Sequence, residues 1–165
     1  MSYHIYTTRG IVLSERPVRE ADRIYTIITR DLGLVQATAL GVRKEASKLR
    51  GALEPFVLSK ISLVRGKEHW RITSAECIRS ISPSPTVARP LALLEKLVQG
   101  EVPNQELFDA VEKEVLFQEP YDEMFETKMV SKILFYLGYL KKSDMVLDKK
   151  SLVKAINEGI QASHL

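Results

Sequence analysis

Arg9 to Ala75 reads RGIVLSERPVREADRIYTIITRDLGLVQATALGVRKEASKLRGALEPFVLSKISLVRGKEHWRITSA. Its β-branched and aromatic runs, broken by turn residues, predict five strands and one short helix in the order β-β-β-α-β-β. The first strand extends from about Ile5 to Ser14, with Gly10 marking a bend and Arg16-Pro17 ending it. Arg23–Thr29 and Leu34–Leu40 flank Asp31-Leu32-Gly33 and form a hairpin. Helix formers between Gly41 and Pro55 supply a helix of two or three turns. The fourth strand covers Phe56–Val64, and the fifth runs from about His69 to Ile78 after the Arg65-Gly66-Lys67 turn. On the fifth strand, alternation puts Trp70, Ile72 and Ser74 on one face and Arg71, Thr73 and Ala75 on the other. Five short strands must close to hide their edges, and closure with a helix between strands three and four is the OB arrangement.

The pattern changes at Ser80-Ile81-Ser82-Pro83-Ser84-Pro85, which propagates neither ladder nor helix. The expected organisation is an α+β chain: an OB-type β-barrel domain over 1–80, a Ser/Pro linker over 81–85 and an α-helical domain over 86–165. Helices are predicted over Thr86–Gln99, Asn104–Phe117 (ending before Pro120), Tyr121–Leu140 and Asp148–Ala162. The third carries a stripe of Met129, Val130, Ile133, Leu134 and Leu137, a packing face rather than a cofactor box.

The 165 residues are 45% hydrophobic, enough for a genuine core. No apolar run approaches membrane-spanning length, and MSYHIYTTRG lacks the apolar segment of a signal peptide, so the expected location is cytoplasmic. Cys77 is the single cysteine, expected as a small buried residue late in a strand. His4, His69 and His164 are scattered, and no GxxxxGK[ST], GxSxG, HExxH or GxGxxG pattern occurs. The expectation is therefore no enzyme, no cofactor and no metal.

Net charge is +3, but residues 1–80 hold 14 Lys and Arg against 8 Asp and Glu, whereas residues 81–165 hold 10 against 13. A basic first half fits a polyanion partner. Barrels of this type bind oligonucleotides on the face of strands two and three and on the loops between strands one and two and strands four and five. Those places carry Arg16, Arg19 and Arg23, then Arg65 and Lys67, with Arg43, Lys44, Lys48 and Arg50 in the segment after strand three. Such side chains would neutralise phosphates without reading sequence. Tyr25, Phe56 and Trp70 are the aromatic residues near these cations. Burial is expected for Phe56 and Trp70, and either role is open to Tyr25.

The wording of five stretches goes beyond pattern: Thr8–Leu13, Glu20–Thr26, Gly33–Lys44, Gly51–Phe56 and Leu63–Lys67. In order and spacing they resemble the N-terminal domain of the bacterial recombination mediator RecO family. Lys132–Leu140 is similar to a helix of that family ending in Leu-Gly-Tyr. The resemblance implies a non-catalytic, nucleoid-associated protein that binds single- and double-stranded DNA and anneals complementary strands. It further implies help in loading RecA onto DNA coated with single-strand-binding protein. The implied partners are RecR and the acidic C-terminal tail of the single-strand-binding protein. Carried over residue by residue, DNA contacts fall on Arg43, Lys44, Lys48 and Arg50, then on Arg9, Arg19, Arg23, Arg65 and Lys67. A four-cysteine zinc module common in the family has no counterpart after Leu-Gly-Tyr-Leu, so bound zinc is not expected. Lys128, Lys132, Lys141 and Lys142 are candidates for receiving the acidic tail. A protein-interaction adaptor and an RNA-binding OB module are the alternative readings of the same footprint.

Overall fold

The computed structural model describes residues 3–45, 47–117 and 121–165. The chain divides into two compact units, Met1–Ser82 with Gly100–Asn104, and Pro83–Gln99 with Gln105–Leu165. The first contains β1 (Ile5–Pro17), β2 (Arg23–Thr29), β3 (Gly33–Ala39), β4 (Val57–Arg65) and β5 (Trp70–Ser80). They form a closed barrel in the order β1-β2-β3-β5-β4, with β4 returning to β1. All neighbours are antiparallel except β3 and β5, which pair in parallel through Ala37↔Trp70 and Thr38↔Arg71. This is the expected OB topology within an α+β chain.

β1 serves both sides of the barrel. Gly10 pairs with Thr29 of β2 and with Ser59 of β4, at the point where the strand passes from one partner to the other. A Cβ there would lie 2.7 Å from Cγ2 of Ile27 and 3.2 Å from Cδ1 of Ile61. The missing side chain is what lets the strands close around a core that includes Val12, Ile27, Val35, Ala37, Ile61, Leu63 and Ile72. The β2–β3 hairpin turns through Gly33, at a φ of 75°, and a Cβ at this glycine would meet the backbone of Val102 at 2.6 Å. That segment is tied to the barrel by Leu34 N donating to the Gly100 carbonyl at 3.1 Å.

Several expectations are corrected. The Gly41–Pro55 segment is not an α-helix of two or three turns: its described residues form turns and one 3₁₀ turn at Arg50–Ala52, and Ala46 lies outside them. Gly41, at a φ of 63°, and Gly51 interrupt a stretch too short to offset helix nucleation, while Val42 and Leu53 anchor it in the barrel core. On β5 the pairing slips between Ser62↔Ser74 and Leu63↔Ile72, a bulge that reverses the alternation. Ser74 is therefore exposed and Ala75 packs on the core, the opposite of strict alternation from Trp70. Cys77, near the far end of β5, is exposed rather than buried. Phe56 is half-buried and precedes β4 at a left-handed φ of 64°, held by its N donating to the Val12 carbonyl at 2.8 Å and by Ile81 N donating to the Phe56 carbonyl at 2.9 Å.

The second unit contains α1 (Pro85–Leu97), α2 (Gln105–Phe117), α3 (Glu123–Tyr136) and α4 (Lys149–Ala162). Pro120, expected after the second helix, lies outside the described residues. α3 packs on the other three helices, and Met129, Ile133 and Leu134 of its stripe are fully buried. It begins at Asp122, whose carboxylate accepts from Phe125 N at 2.8 Å. It stops short of Leu140 because Gly138, at a φ of 84°, lets Tyr139 N bond back to the Leu134 carbonyl at 2.8 Å. Asp148 caps α4, and its bond from the Ser151 hydroxyl, with backbone amides, holds its carboxyl below the usual range. Glu114 of α2 is buried and paired with Lys132 of α3, while its Oε2 has no partner among the described residues.

Gly10→Ala is expected to destabilise the barrel by about 1–3 kcal/mol, because the new methyl overpacks against Ile27. Urea unfolding followed by tryptophan emission checks it. Lys132→Met strands the Glu114 carboxylate and is expected to cost about 3 kcal/mol, largely recovered in Glu114→Leu/Lys132→Met. Thermal melts of the helical signal distinguish the single from the double substitution.

Candidate nucleic-acid interface

Two segments distant in sequence meet at the end of β3, and a third lies along the same strand toward its start. The first, Val18–Asp22, joins β1 to β2. The second follows β3, and hydrogen bonds fasten the two together: Gly41 N donates to Asp22 Oδ1 at 2.7 Å, Arg43 N to the Ala21 carbonyl at 3.2 Å and Arg43 Nη1 to the Glu20 carbonyl at 2.9 Å. Val18 N closes the loop on the Asp22 carbonyl at 3.2 Å. Glu20 and Asp22 thus act as local struts, Asp22 through its carboxylate and Glu20 through its backbone. The third segment, the β4–β5 turn, precedes the parallel pair Ala37↔Trp70 and therefore runs back along β3 toward its start, where Arg65 pairs with Glu101 next to the Gly100 carbonyl reached by Leu34 N.

Behind the first two segments lies a hollow of about 490 Å³ lined by Glu15, Arg23, Tyr25, Val42, Arg43, Arg50, Glu54 and Pro55. Arg23 is paired with Glu15, and its Nε is buried with no partner among the described residues. Tyr25 is only 2% exposed. Burial pushes its hydroxyl above the ordinary tyrosine range, with nearby Arg23 opposing and Glu54 reinforcing the shift. Tyr25, open in the sequence, is therefore a core residue bordering the hollow. Its strand offers no stacking face either: Ile24 and Ile28, on the opposite phase of β2, are also buried.

Of the nine residues carried over as DNA contacts, Arg23, Arg43 and Arg50 line this one hollow. Arg19, Lys44 and Lys48 are set on the same two segments, and Arg16 is exposed at the end of β1. Arg65 and Lys67 stand exposed at the β4–β5 turn, where Arg65 pairs with Glu101 and its guanidinium sits 4.9 Å over the Trp70 ring. Arg9 is apart from these, opposite Lys60 in a second hollow with Arg30, Asp31 and Glu76. Trp70 is buried as expected, at 5% exposure.

Sequence reasoning missed Tyr6. Its ring meets Trp70 edge to face at 5.2 Å and His4 at 4.3 Å, next to the β4–β5 cations. The signal for it, a tyrosine at the start of a strand destined to pair beside that turn, becomes visible only with the β1–β4 register, where Tyr6 lies opposite Leu63. Among the described residues no group of three or more His, Cys, Asp or Glu is placed to hold a metal ion. No described helix is long and apolar enough to cross a membrane.

A closed five-stranded barrel of this order, with arginines and lysines drawn to the end of its third strand, is an OB-fold module with a cationic edge. Residues 1–81 match the family model described as Recombination protein O N terminal. The chain is 42% identical over 105 residues to a DNA repair protein RecO of Synechococcus sp., covering 57% of this chain and 35% of that one. It is 46% identical over 77 residues to a DNA repair protein RecO of Dehalococcoides mccartyi, 47% of this chain and 30% of the other. The match to DNA repair protein RecO of Trichodesmium erythraeum is 31% over 138 residues, 77% of this chain and 48% of the relative. Through its N-terminal domain the chain belongs to the RecO family, and it spans between about a third and a half of the length of these relatives.

The Tyr25 shift carries a pH signature. The folded chain holds this proton more tightly than the unfolded chain, so the group's contribution to stability is fully present below the ordinary tyrosine value of 10.0 and is lost as pH rises through the folded value. Urea midpoints measured across alkaline pH should fall in the wild type, and Tyr25→Phe should remove that part of the fall.

Proposed function

We propose that the protein is a non-catalytic DNA-binding mediator of recombinational repair, holding single strands by their phosphates and annealing complementary ones. The reading rests above all on one observation: Arg23, Arg43 and Arg50 line one hollow at the end of β3, where the β1–β2 loop is fastened to the segment after β3, in a barrel of the RecO N-terminal family. The names of the relatives supply the repair context. Arg43, Lys44, Lys48 and Arg50 are the main phosphate contacts, with Arg19, Arg23, Arg65 and Lys67 flanking them. Arg9, in its separate hollow, contributes least. Binding of this kind releases counterions and ignores base identity. The wider activity in this reading is help in loading RecA onto DNA covered by single-strand-binding protein, together with RecR, at the nucleoid.

The acidic tail of the single-strand-binding protein has a candidate seat within the helical unit. A groove of about 790 Å³ has Leu93, Val130, Val153 and Ile156 among its apolar walls and Arg89 and Lys149 among its charged ones. It suits a peptide that is acidic with an apolar end. Lys132, one of the sequence candidates, is engaged by Glu114 instead.

Fluorescence anisotropy with short single-stranded DNA tests the central claim. Replacing Arg43, Lys44, Lys48 and Arg50 together by glutamate should abolish binding at moderate salt. Replacing them by alanine should flatten the slope of log affinity against log salt by roughly 0.7 for each phosphate no longer neutralised. Arg9→Glu alone should change binding little. No binding by the wild type, or an unchanged glutamate variant, would refute the DNA reading and favour an adaptor. Stronger competition by RNA of equal length would favour an RNA-binding module.

A further inference from the structure

We propose that Tyr6 is a stacking platform for an unpaired nucleobase, with Arg65 and Lys67 holding the phosphates on either side of it. This rests on the DNA-binding reading and adds what phosphate contacts lack, a means of telling single strands from duplex. Tyr6 lies opposite Leu63, a core residue, yet 38% of it is exposed. A large ring left open at the margin of a core forgoes apolar burial unless something covers it.

The ring is held in place before any ligand arrives. It meets Trp70 with the planes at 85° and His4 at 71°, so two aromatic neighbours restrict its torsions. A base meeting such a ring orders little on binding, and every base has a π face to offer. Tyr3, 64% exposed and three residues before Tyr6, is within the same stretch of chain and offers a second ring. Tyr25 and Trp70 are too buried for this role.

The cations beside the ring are suited to a strand rather than to a free base. Arg65 is fixed over the Trp70 indole and pairs with Glu101. Both members of that pair are largely exposed, a setting in which an ion pair contributes little, so a phosphate can take the carboxylate's place. Lys67 is exposed two residues on. Trp70 is one β-ladder step from Ala37 and two from Tyr25, which lines the arginine hollow. Two strand spacings are about 10 Å, within reach of one short oligonucleotide. Bases of a duplex are stacked on each other and closed to the ring, so the contact favours single strands.

Trp70 is the chain's single tryptophan, so its emission reports directly on this cluster. The full chain is titrated with oligothymidylate, with an abasic strand of equal length and with duplex. Tyr6→Ala and Tyr6→Leu are compared with wild type, and thermal melts monitor folding. Tyr6→Ala should weaken oligothymidylate binding about 5- to 150-fold, leave abasic binding and the salt slope unchanged and erase the preference over duplex. Tyr6→Leu, which keeps apolar cover without the aromatic face, should lose most of the same affinity. Oligothymidylate should quench Trp70 and the abasic strand should not. Equal weakening on both strands, or a Tyr6→Leu protein that binds like wild type, would overturn the stacking role while leaving phosphate binding intact. Failure of the wild type to bind any strand would instead bring down the DNA reading itself.

Discussion

The parallel seam between β3 and β5, two residue pairs long, is the constraint on which the rest depends. Every other neighbour in the barrel is joined by an extended antiparallel ladder, and this short seam alone turns an open five-stranded sheet into a closed one. Closure removes the free edges that would otherwise recruit other strands. It also sets the start of β5 against Ala37 and Thr38, so that the β4–β5 turn runs back along β3 while the β1–β2 loop and the segment after β3 meet at its end. Gly10 makes the seam attainable, because β1 can pass between its two partners only where no side chain fills the gap to Ile27 and Ile61.

Gathering arginines on one edge carries a self-repulsion that the protein moderates with carboxylates. Glu15 meets Arg23, Glu101 meets Arg65, and Glu54 stands among the arginines of the hollow. Arg43 is held differently, by the backbone carbonyl of Glu20, which fixes its position without neutralising it. The Arg65–Glu101 pair is exposed and weak, so it organises its side chains and can give way to a competing anion, whereas the Arg23–Glu15 pair is half-buried. The edge is thus ordered in advance and still able to exchange partners.

The helical unit shows the opposite use of charge. Glu114 and Lys132 face each other between α2 and α3 with the carboxylate inside, where low polarity makes each dependent on the other. A lysine that reads in sequence as a surface cation is here a structural partner. Arg89, by contrast, lines the groove of α1, α3 and α4 while pairing with Glu126 at 3.3 Å.

The strands, their succession along the chain and the basic character of their connections are legible from local sequence. β2 was legible to the residue, since Arg23–Thr29 is a β-branched run between clear turn signals. The family was legible too, from the ordered stretches between Thr8 and Lys67. Local signals stopped being sufficient where a residue's state depends on a distant partner. The Gly41–Pro55 segment has helical composition, yet Val42 and Leu53 are drawn into the barrel and hold it in turns. Ser74 and Ala75 follow a bulge that the period of two does not announce. Lys44, Lys48 and Lys67 could be found as surface cations by composition, but only the closed barrel separated Arg9 from Arg23, Arg43 and Arg50. Tyr6 acquired its place for the same reason: its pairing with Leu63, far along the chain, is a property of register, and register is set when the sheet closes.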